Sequence, residues 1–366
     1  MCVMSEDQIM NTYSQSGVDT DAAGKGLSGL LRWVSETSEF TGNRGKQIAP
    51  SGFFANVLEI SENLSVAIST DGVGSKSVLA QITGNFEVIG WDCIAVNVND
   101  IICTGAMPLA IVDYIALQYP HEDLLSELGR GMRNGAKRAN VAVVGGELSQ
   151  HPDTLIGPRD GYAFDISATC IGLLDRPPVT GSQIESNDVI LGFPSNGIHA
   201  NGLTLARQIF QVTDSSSLNR RINGSNNFIG EELLRPTAIY VPQVKAMLDS
   251  GVDVHGLAHI SGDGFLNLLR LDANVTYRID NMPTVPNVFN AMQEAGKVSI
   301  EEMFHVFNMG VGFCAVVPQN QADLAMSAIK DIGDHAQIIG YIEKGDRQVI
   351  VEDFNLLGIE GGFSTL

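Results

Sequence analysis

Three short stretches combine a carboxylate with glycine or asparagine: Ser69-Thr70-Asp71-Gly72-Val73-Gly74-Ser75-Lys76, Asn97-Val98-Asn99-Asp100 and Gly145-Gly146-Glu147. Each follows or sits within an apolar, β-branched run (Val66-Ala67-Ile68, Ile94-Ala95-Val96, Val141-Ala142-Val143-Val144), which predicts three buried strands with an acid near each end. Held at one sheet edge, Asp71, Asp100 and Glu147 would offer hard oxygen ligands to a single Mg²⁺, and Gly72, Gly74, Gly145 and Gly146 would let backbone N–H groups approach phosphate. A lone turn aspartate more often caps its own backbone. Three in ordered motifs favour a site for Mg²⁺ and a nucleoside triphosphate. Ser69 and Thr70 would add hydroxyls to the metal's water shell, and Asn99 joins the set beside Asp100. Lys76, closing a glycine turn, suits a phosphate contact as a point charge, the plainer alternative being a solvated lysine at a helix start.

A second constellation, Ser195-Asn196-Gly197-Ile198-His199-Ala200-Asn201-Gly202, gathers small polar residues ahead of a helix. Backbone N–H groups at a helix N-terminus form an anion cradle. His199 is the candidate acid–base group because imidazole titrates near neutral pH, with a helix-capping histidine as the plainer reading. His259, in His259-Ile260-Ser261-Gly262-Asp263-Gly264, is a weaker candidate.

These residues need a scaffold. At 366 residues the chain exceeds the size at which one hydrophobic core stops growing, so two domains are expected. Apolar runs at 54–70 and 109–117 read as strand-rich, and Leu124, Leu128, Met132 and Ala136 predict a helix before the 141–144 strand. After a strand over Ile166–Leu174, Asp175-Arg176-Pro177-Pro178 breaks the pattern and places the boundary, giving domains 1–175 and 176–366. The second half restarts with a strand at Val189–Phe193 and a helix through Leu205, Ala206, Ile209 and Phe210. Residues 213–230 read as a polar, mobile insert. Pro236 is expected in the first turn of a helix carrying Val244, Met247 and Leu248. A strand over Phe313–Val317 and a helix with Ala322, Ala325, Met326 and Ile329 follow. The fold class is α/β, two tandem domains.

Asp and Glu outnumber Lys and Arg by 42 to 22, a formal charge of −20 that repels nucleic acid and anionic membranes. The same charge would repel ATP unless a cation and local basic groups reverse it. Cys2, Cys93, Cys103, Cys170 and Cys314 form no C-x-x-C pair and, Cys2 apart, lie in apolar runs, as expected of buried thiols in a reducing cytosol. Met1 to Asn11 has no apolar stretch of signal-peptide type, and no run approaches the length of a membrane span, so the expected location is cytoplasmic.

The motifs together resemble the phosphoribosylformylglycinamidine cyclo-ligase (aminoimidazole ribonucleotide synthetase) family nearly end to end. The residues carrying the resemblance are Tyr13 to Ala22, Thr70 to Lys76, Asn99 to Leu109, Pro194 to Gly202, and Phe307-Asn308-Met309-Gly310-Val311-Gly312. It implies ATP and Mg²⁺ at Asp71, Asp100 and Glu147, and the ribose-phosphate substrate at Ser195, Asn196, His199 and Asn201. It also implies a homodimer paired through the N-terminal sheet. Gly42 to Phe54, with Gly52 and Lys46, is loosely similar to that family's glycine-rich loop over the phosphates and reads as a lid. The chain departs from the family's pattern at Leu148 to Asp153 after Glu147, where only Pro152 is kept, and at Asp263, where glycine is usual. The implied activity is ATP-dependent cyclisation of formylglycinamidine ribonucleotide. The alternatives are another enzyme of the superfamily, such as a thiamine-monophosphate kinase or formylglycinamidine ribonucleotide synthetase, or a non-catalytic nucleotide-binding regulator.

Overall fold

Alternation of burial along Phe164–Leu174, and in the middle of Leu64–Gly72, gives one sheet an inner face packed under helices and an outer face open to solvent. The computed structural model describes residues 12–42 and 45–366. The expectation about Met1 to Asn11, Cys2, and part of the Gly42–Phe54 loop lie outside the described residues.

The first sheet has six strands, β1 (Lys46–Gln47), β2 (Asn56–Ser61), β3 (Leu64–Gly72), β4 (Met107–Leu117), β5 (Ala142–Gln150) and β6 (Phe164–Leu174), ordered β1-β2-β3-β6-β4-β5. All neighbours are antiparallel except β4 and β5. An outlying helix α1 (Thr20–Val34) precedes the sheet; α2 (Lys76–Thr83), α3 (Glu87–Ile102) and α4 (Glu122–Ala139) follow β3 and β4. The second sheet has eight strands: β7 (Val189–Pro194), β8 (Gly256–His259), β9 (Thr276–Ile279), β10 (Val311–Val317), β11 (Gln337–Glu343), β12 (Gln348–Val351), β13 (Leu356–Ile359) and β14 (Gly362–Thr365). Their order is β14-β13-β12-β9-β11-β7-β10-β8. The two tandem α/β units expected from sequence are present, the first sheet ending at Leu174 and the second beginning at Val189. Cys93, Cys103, Cys170 and Cys314 are buried free thiols, as expected.

The run Ile94-Ala95-Val96 is not a strand. It lies in α3, 13 of whose 16 residues are buried, so the helix is covered on nearly every side and lacks the amphipathic signature. Its partner α4 crosses it almost backbone to backbone. A Cβ at Gly131 would stand 1.8 Å from the Glu87 carbonyl oxygen, and one at Gly90 would stand 2.0 Å from that of Leu128. Gly131→Ala must therefore part the helices and is expected to cost about 3 kcal/mol in denaturant unfolding. A loss below ~0.5 kcal/mol would show that the crossing yields freely.

Residues 213–230 are ordered rather than a loose insert: Asp214 caps a short helix, Ser215–Leu218, and Leu218 and Ile222 are buried. The helix expected to start at Pro236 is Val241–Asp249, with Pro242 in its first turn. Pro236 instead belongs to the Arg235–Tyr240 segment, which is laced to α3: Trp91 Nε1 donates to the Thr237 carbonyl (2.7 Å), and Asp92 accepts from the Thr237 N–H (2.7 Å). Asn99 spans the same seam, donating to the Ala238 carbonyl and accepting from the Tyr240 N–H. These bonds fix the second domain on the helix that carries Asp100.

Candidate active site

The Asn97 side chain brackets the backbone of Asp71, accepting from its N–H at 3.0 Å and donating to its carbonyl at 3.2 Å. One helical turn on, Asp100 Oδ1 lies 2.9 Å from Nδ1 of His259, the last residue of β8. Strand β3, helix α3 and strand β8 thus bring Asp71, Asp100 and His259 together where the two domains meet. An ionised carboxylate only accepts, so Nδ1 of His259 donates to Asp100 and the ring's orientation is fixed by that bond.

The Asp71 carboxyl is pushed up from 3.8 to about 6, first by desolvation and next by the charge of Asp100, with the Gly72 N–H, His259 and Arg270 pulling the other way. Two acids that crowd each other in a cleft with open glycine turns (Gly74 has φ of +65° and free space at its Cβ) suit a hard cation and phosphate oxygens. Metal-free stability should record this. Between pH 3.8 and 6 the unfolded chain has released the Asp71 proton and the folded chain has kept it. Stability therefore falls as pH rises through that window, and the full penalty of about 2–3 kcal/mol persists above it. Asp71→Asn is expected to raise metal-free thermal stability at pH 8 and to do so progressively less toward pH 4. The same shift at both pH values would unlink the effect from Asp71.

The other expected ligands fall elsewhere. Glu147 pairs with Tyr114, which pairs with Ser167 on the outer face, whereas Asp71 pairs through Ala168 with Asp113 on the helix-covered face. Glu147 is thus three strands away, about 14 Å, and points to the opposite side of the sheet. One chain does not assemble the three-acid set, and no group of three or more possible metal ligands occurs among the described residues. Gly145 has open space beside it, while Gly146 leaves room for the Asp113 carboxylate, 2.5 Å from where its Cβ would be. Thr70 is on the outer face bonded to Thr169, Ser69 is buried in β3, and Asn99 spends its amide on the second domain. Lys76 is fully buried, 2.6 Å from Asp92 and donating to the Arg235 carbonyl at 2.5 Å, so it does not reach an open phosphate site here. Gly52 keeps its place at the cleft, where Arg270 binds the carbonyls of Gly52 and Phe53 and stacks over Phe54. That end of the expected lid is pinned.

His199 is buried in the left-handed region at φ +67°, with Nε2 accepting from the N–H groups of Asn196 (3.1 Å) and Ala238 (3.4 Å). Burial, His259 and Lys76 hold its pKa well below the usual histidine value, so it is neutral with its proton on Nδ1. The geometry makes it a positioning residue for the 195–202 turn rather than an acid–base group. His199→Ala is expected to cost about 2–4 kcal/mol of stability, from the cavity and two orphaned N–H groups. The pH–rate profile of the folded variant should keep its shape; loss of one limb would restore the acid–base role.

Ser195 and Asn196 line a cavity of about 300 Å³ with Glu232 and Arg235. Asn201 lines a different one of about 360 Å³ with Tyr13, Asp263 and His305. A third, about 680 Å³, holds Gly52, Asn267 and Arg270 and shares Asp263 and His305 with the second. The Phe307–Gly312 motif supports this region: Asn308 donates to the carbonyls of Gly197 and Ile198, and Gly312 leaves room for Tyr240 and His199. Arg270 and the Asp263–His305 pair (3.6 Å) were not singled out from sequence as site groups, since their partners are distant in the chain.

Comparison with known proteins fits this layout. The model of AIR synthase related proteins matches residues 54–174 (N-terminal domain) and 185–353 (C-terminal domain). The phosphoribosylformylglycinamidine cyclo-ligase of Methanothermobacter thermautotrophicus is 42% identical over 344 residues, 94% of this chain and 97% of that one. That of Pyrococcus horikoshii is 37% identical over 95% of this chain and 99% of that one. The chain belongs to the phosphoribosylformylglycinamidine cyclo-ligase family. The cyclo-ligase fold extends to solved structures at low identity. AaThiL complexed with AMPPCP and TMP superposes with a TM-score of 0.60 at 20% identity, over 91% of this chain and 95% of that one. The hydrogenase maturation protein HypE in complex with ATP gives 0.60 at 19%, over 84% and 87%.

Proposed function

We propose that Asp71, Asp100 and His259 form the reaction centre of an enzyme that closes formylglycinamidine ribonucleotide to aminoimidazole ribonucleotide, with ATP going to ADP and phosphate. The activity follows from family membership, and the observation that carries the site is the junction of the two acids with His259 across the domain seam. A formamide oxygen is a poor leaving group. Transfer of the γ-phosphoryl group to it makes the departing group phosphate, after which an amidine nitrogen of the same molecule closes the ring. Mg²⁺ bound at Asp71 and Asp100 would neutralise the triphosphate. The chain's own contribution is to hold ATP and substrate together, since intramolecular closure already has a high effective concentration. The free nitrogen of His259, oriented by Asp100, accepts the proton released on closure. The cavity with Ser195 and Asn196 and the separate one with Asn201 and Tyr13 are the two candidate seats for the ribose-phosphate end.

The superfamily alternatives are weaker, because relatives at 37–42% identity carry the cyclo-ligase name and ThiL-type structures stand near 20%. Purified protein should form imidazole product in an ATP-dependent manner from formylglycinamidine ribonucleotide and leave thiamine monophosphate unphosphorylated. The reverse result would replace this reading.

A homodimer is part of the proposal. The outer face of the first sheet exposes Val112, Tyr114, Ile171 and Leu173, an apolar surface that a second copy would cover. Glu147 lies on that face and would meet the partner rather than its own Asp71. No helix among the described residues is long and apolar enough to cross a membrane, and with a charge of −20 we place the enzyme in the cytoplasm.

A further inference from the structure

Helix α1 is capped at Asp19, whose side chain accepts the Ala22 N–H at 2.8 Å, yet from Ala22 to Thr41 every side chain is exposed. Leu27, Leu30, Leu31 and Val34 make one apolar stripe, flanked by Trp33 at 69% exposure. Gly24, Gly26 and Gly29 each lower helix stability by about 1 kcal/mol relative to alanine, and a lone helix of 15 residues is marginal in water even without them. This helix needs a surface to lie on.

A vacant surface of the right kind exists. The helical layer over the first sheet stops at α4, leaving a groove of about 900 Å³ between α4 and the β4–β5 edge. Leu109, Met132, Val141 and Val143 line it together with one acid, Asp113, and two bases, Arg133 and Lys137. Both ends of the arm are anchored away from this groove on its own chain. The Tyr13 N–H is held by Glu302 (2.6 Å), and the Ser16 carbonyl by Gln208, while the far end of the arm enters β1 at Lys46. Strand β1 is five positions from β5, about 24 Å across the sheet. A two-fold axis along the strands that stacks the exposed outer faces sets each β1 edge over the partner's β5 edge.

We propose that α1 is an exchanged arm: its apolar stripe fills the groove between α4 and β4–β5 of a second copy of this chain, reciprocally. Glu36 and Glu39, following the helix, complement Arg133 and Lys137 of the groove. The exchange is isologous, as closed two-fold symmetry requires. It also tethers the partner to the active site, because Tyr13 lines the cavity that holds Asn201 and Asp263.

This inference rests on the homodimer, and the test separates the two. Leu27→Cys and Val143→Cys proteins, each also carrying Cys2→Ser, are prepared singly, mixed, allowed to exchange subunits and treated with a short bis-maleimide. Both positions are exposed and the remaining native thiols are buried, so folding and background should be unaffected. The expected result is a two-chain product in the mixture and little in either protein alone, with α1 amides losing hydrogen-exchange protection on dilution to monomer. A dimer by sedimentation that gives no mixed product, or a protein carrying both Leu27→Cys and Val143→Cys that cross-links only within a single chain, overturns the exchanged arm and leaves the dimer standing. A monomer at every concentration overturns both.

Discussion

Asp100→Asn is expected to slow ATP-dependent ring closure by about 10²–10⁴ while leaving the fold intact. The substitution keeps the shape of the side chain, and an amide oxygen can still accept from Nδ1 of His259, 2.9 Å away. What disappears is charge, in two places at once. A cation loses one of its two proposed ligands, and His259 loses the anion that stabilises its protonated form after it takes the substrate's proton. Asp71 loses the like charge that helps hold it near 6, so its carboxyl falls toward the ordinary range and the rate's pH dependence moves to lower pH. Excess Mg²⁺ should restore part of the rate, because mass action compensates for weaker ligation and not for lost orientation of His259. Steady-state turnover across a Mg²⁺ titration, with thermal unfolding as control, decides it. Wild-type turnover at limiting Mg²⁺ would remove Asp100 from the centre.

Much of this was legible in the residues, and the failures share a cause. Strands at Val189–Phe193, Ile166–Leu174 and Phe313–Val317, and the helix through Leu124 and Met132, show their period because one face of each meets a different environment or because the run is short and bounded. Helix α3 is buried on nearly every side, so its apolar run carries no period and reads as a strand; Asp100 was placed on the wrong element yet near the right neighbour. Glu147 shows a different blindness. A motif gives proximity in sequence but not the face of the sheet, and an irregular register between Ile111 and Val112 against β5 decides which side it takes. The ordered insert at 213–230 hides Leu218 and Ile222 among serines and asparagines, too few apolar residues for any periodic signal.

Lys76 is the sharpest of these cases, and its replacement should have the largest effect on stability. A lysine after a glycine turn suggests phosphate, but this ammonium has no exposed surface and sits 2.6 Å from Asp92, itself fully buried. The pair lies at the domain seam. Asp92 also accepts the Thr237 N–H at 2.7 Å, and Lys76 donates to the Arg235 carbonyl, so α2, α3 and the second domain share one polar cluster. Lys76→Met keeps most of the aliphatic volume and strands a buried carboxylate, which is expected to cost about 3–5 kcal/mol. The double change Lys76→Met with Asp92→Asn should recover much of that, since the stranded charge and not the missing contact carries the penalty, and an asparagine oxygen can still accept from Thr237. Urea unfolding of the two single variants and the double completes the cycle. If Lys76→Met instead unfolds like wild type and loses ATP affinity, the ammonium leaves Asp92 to meet phosphate in the working enzyme, and the pairing seen here is not its functional state.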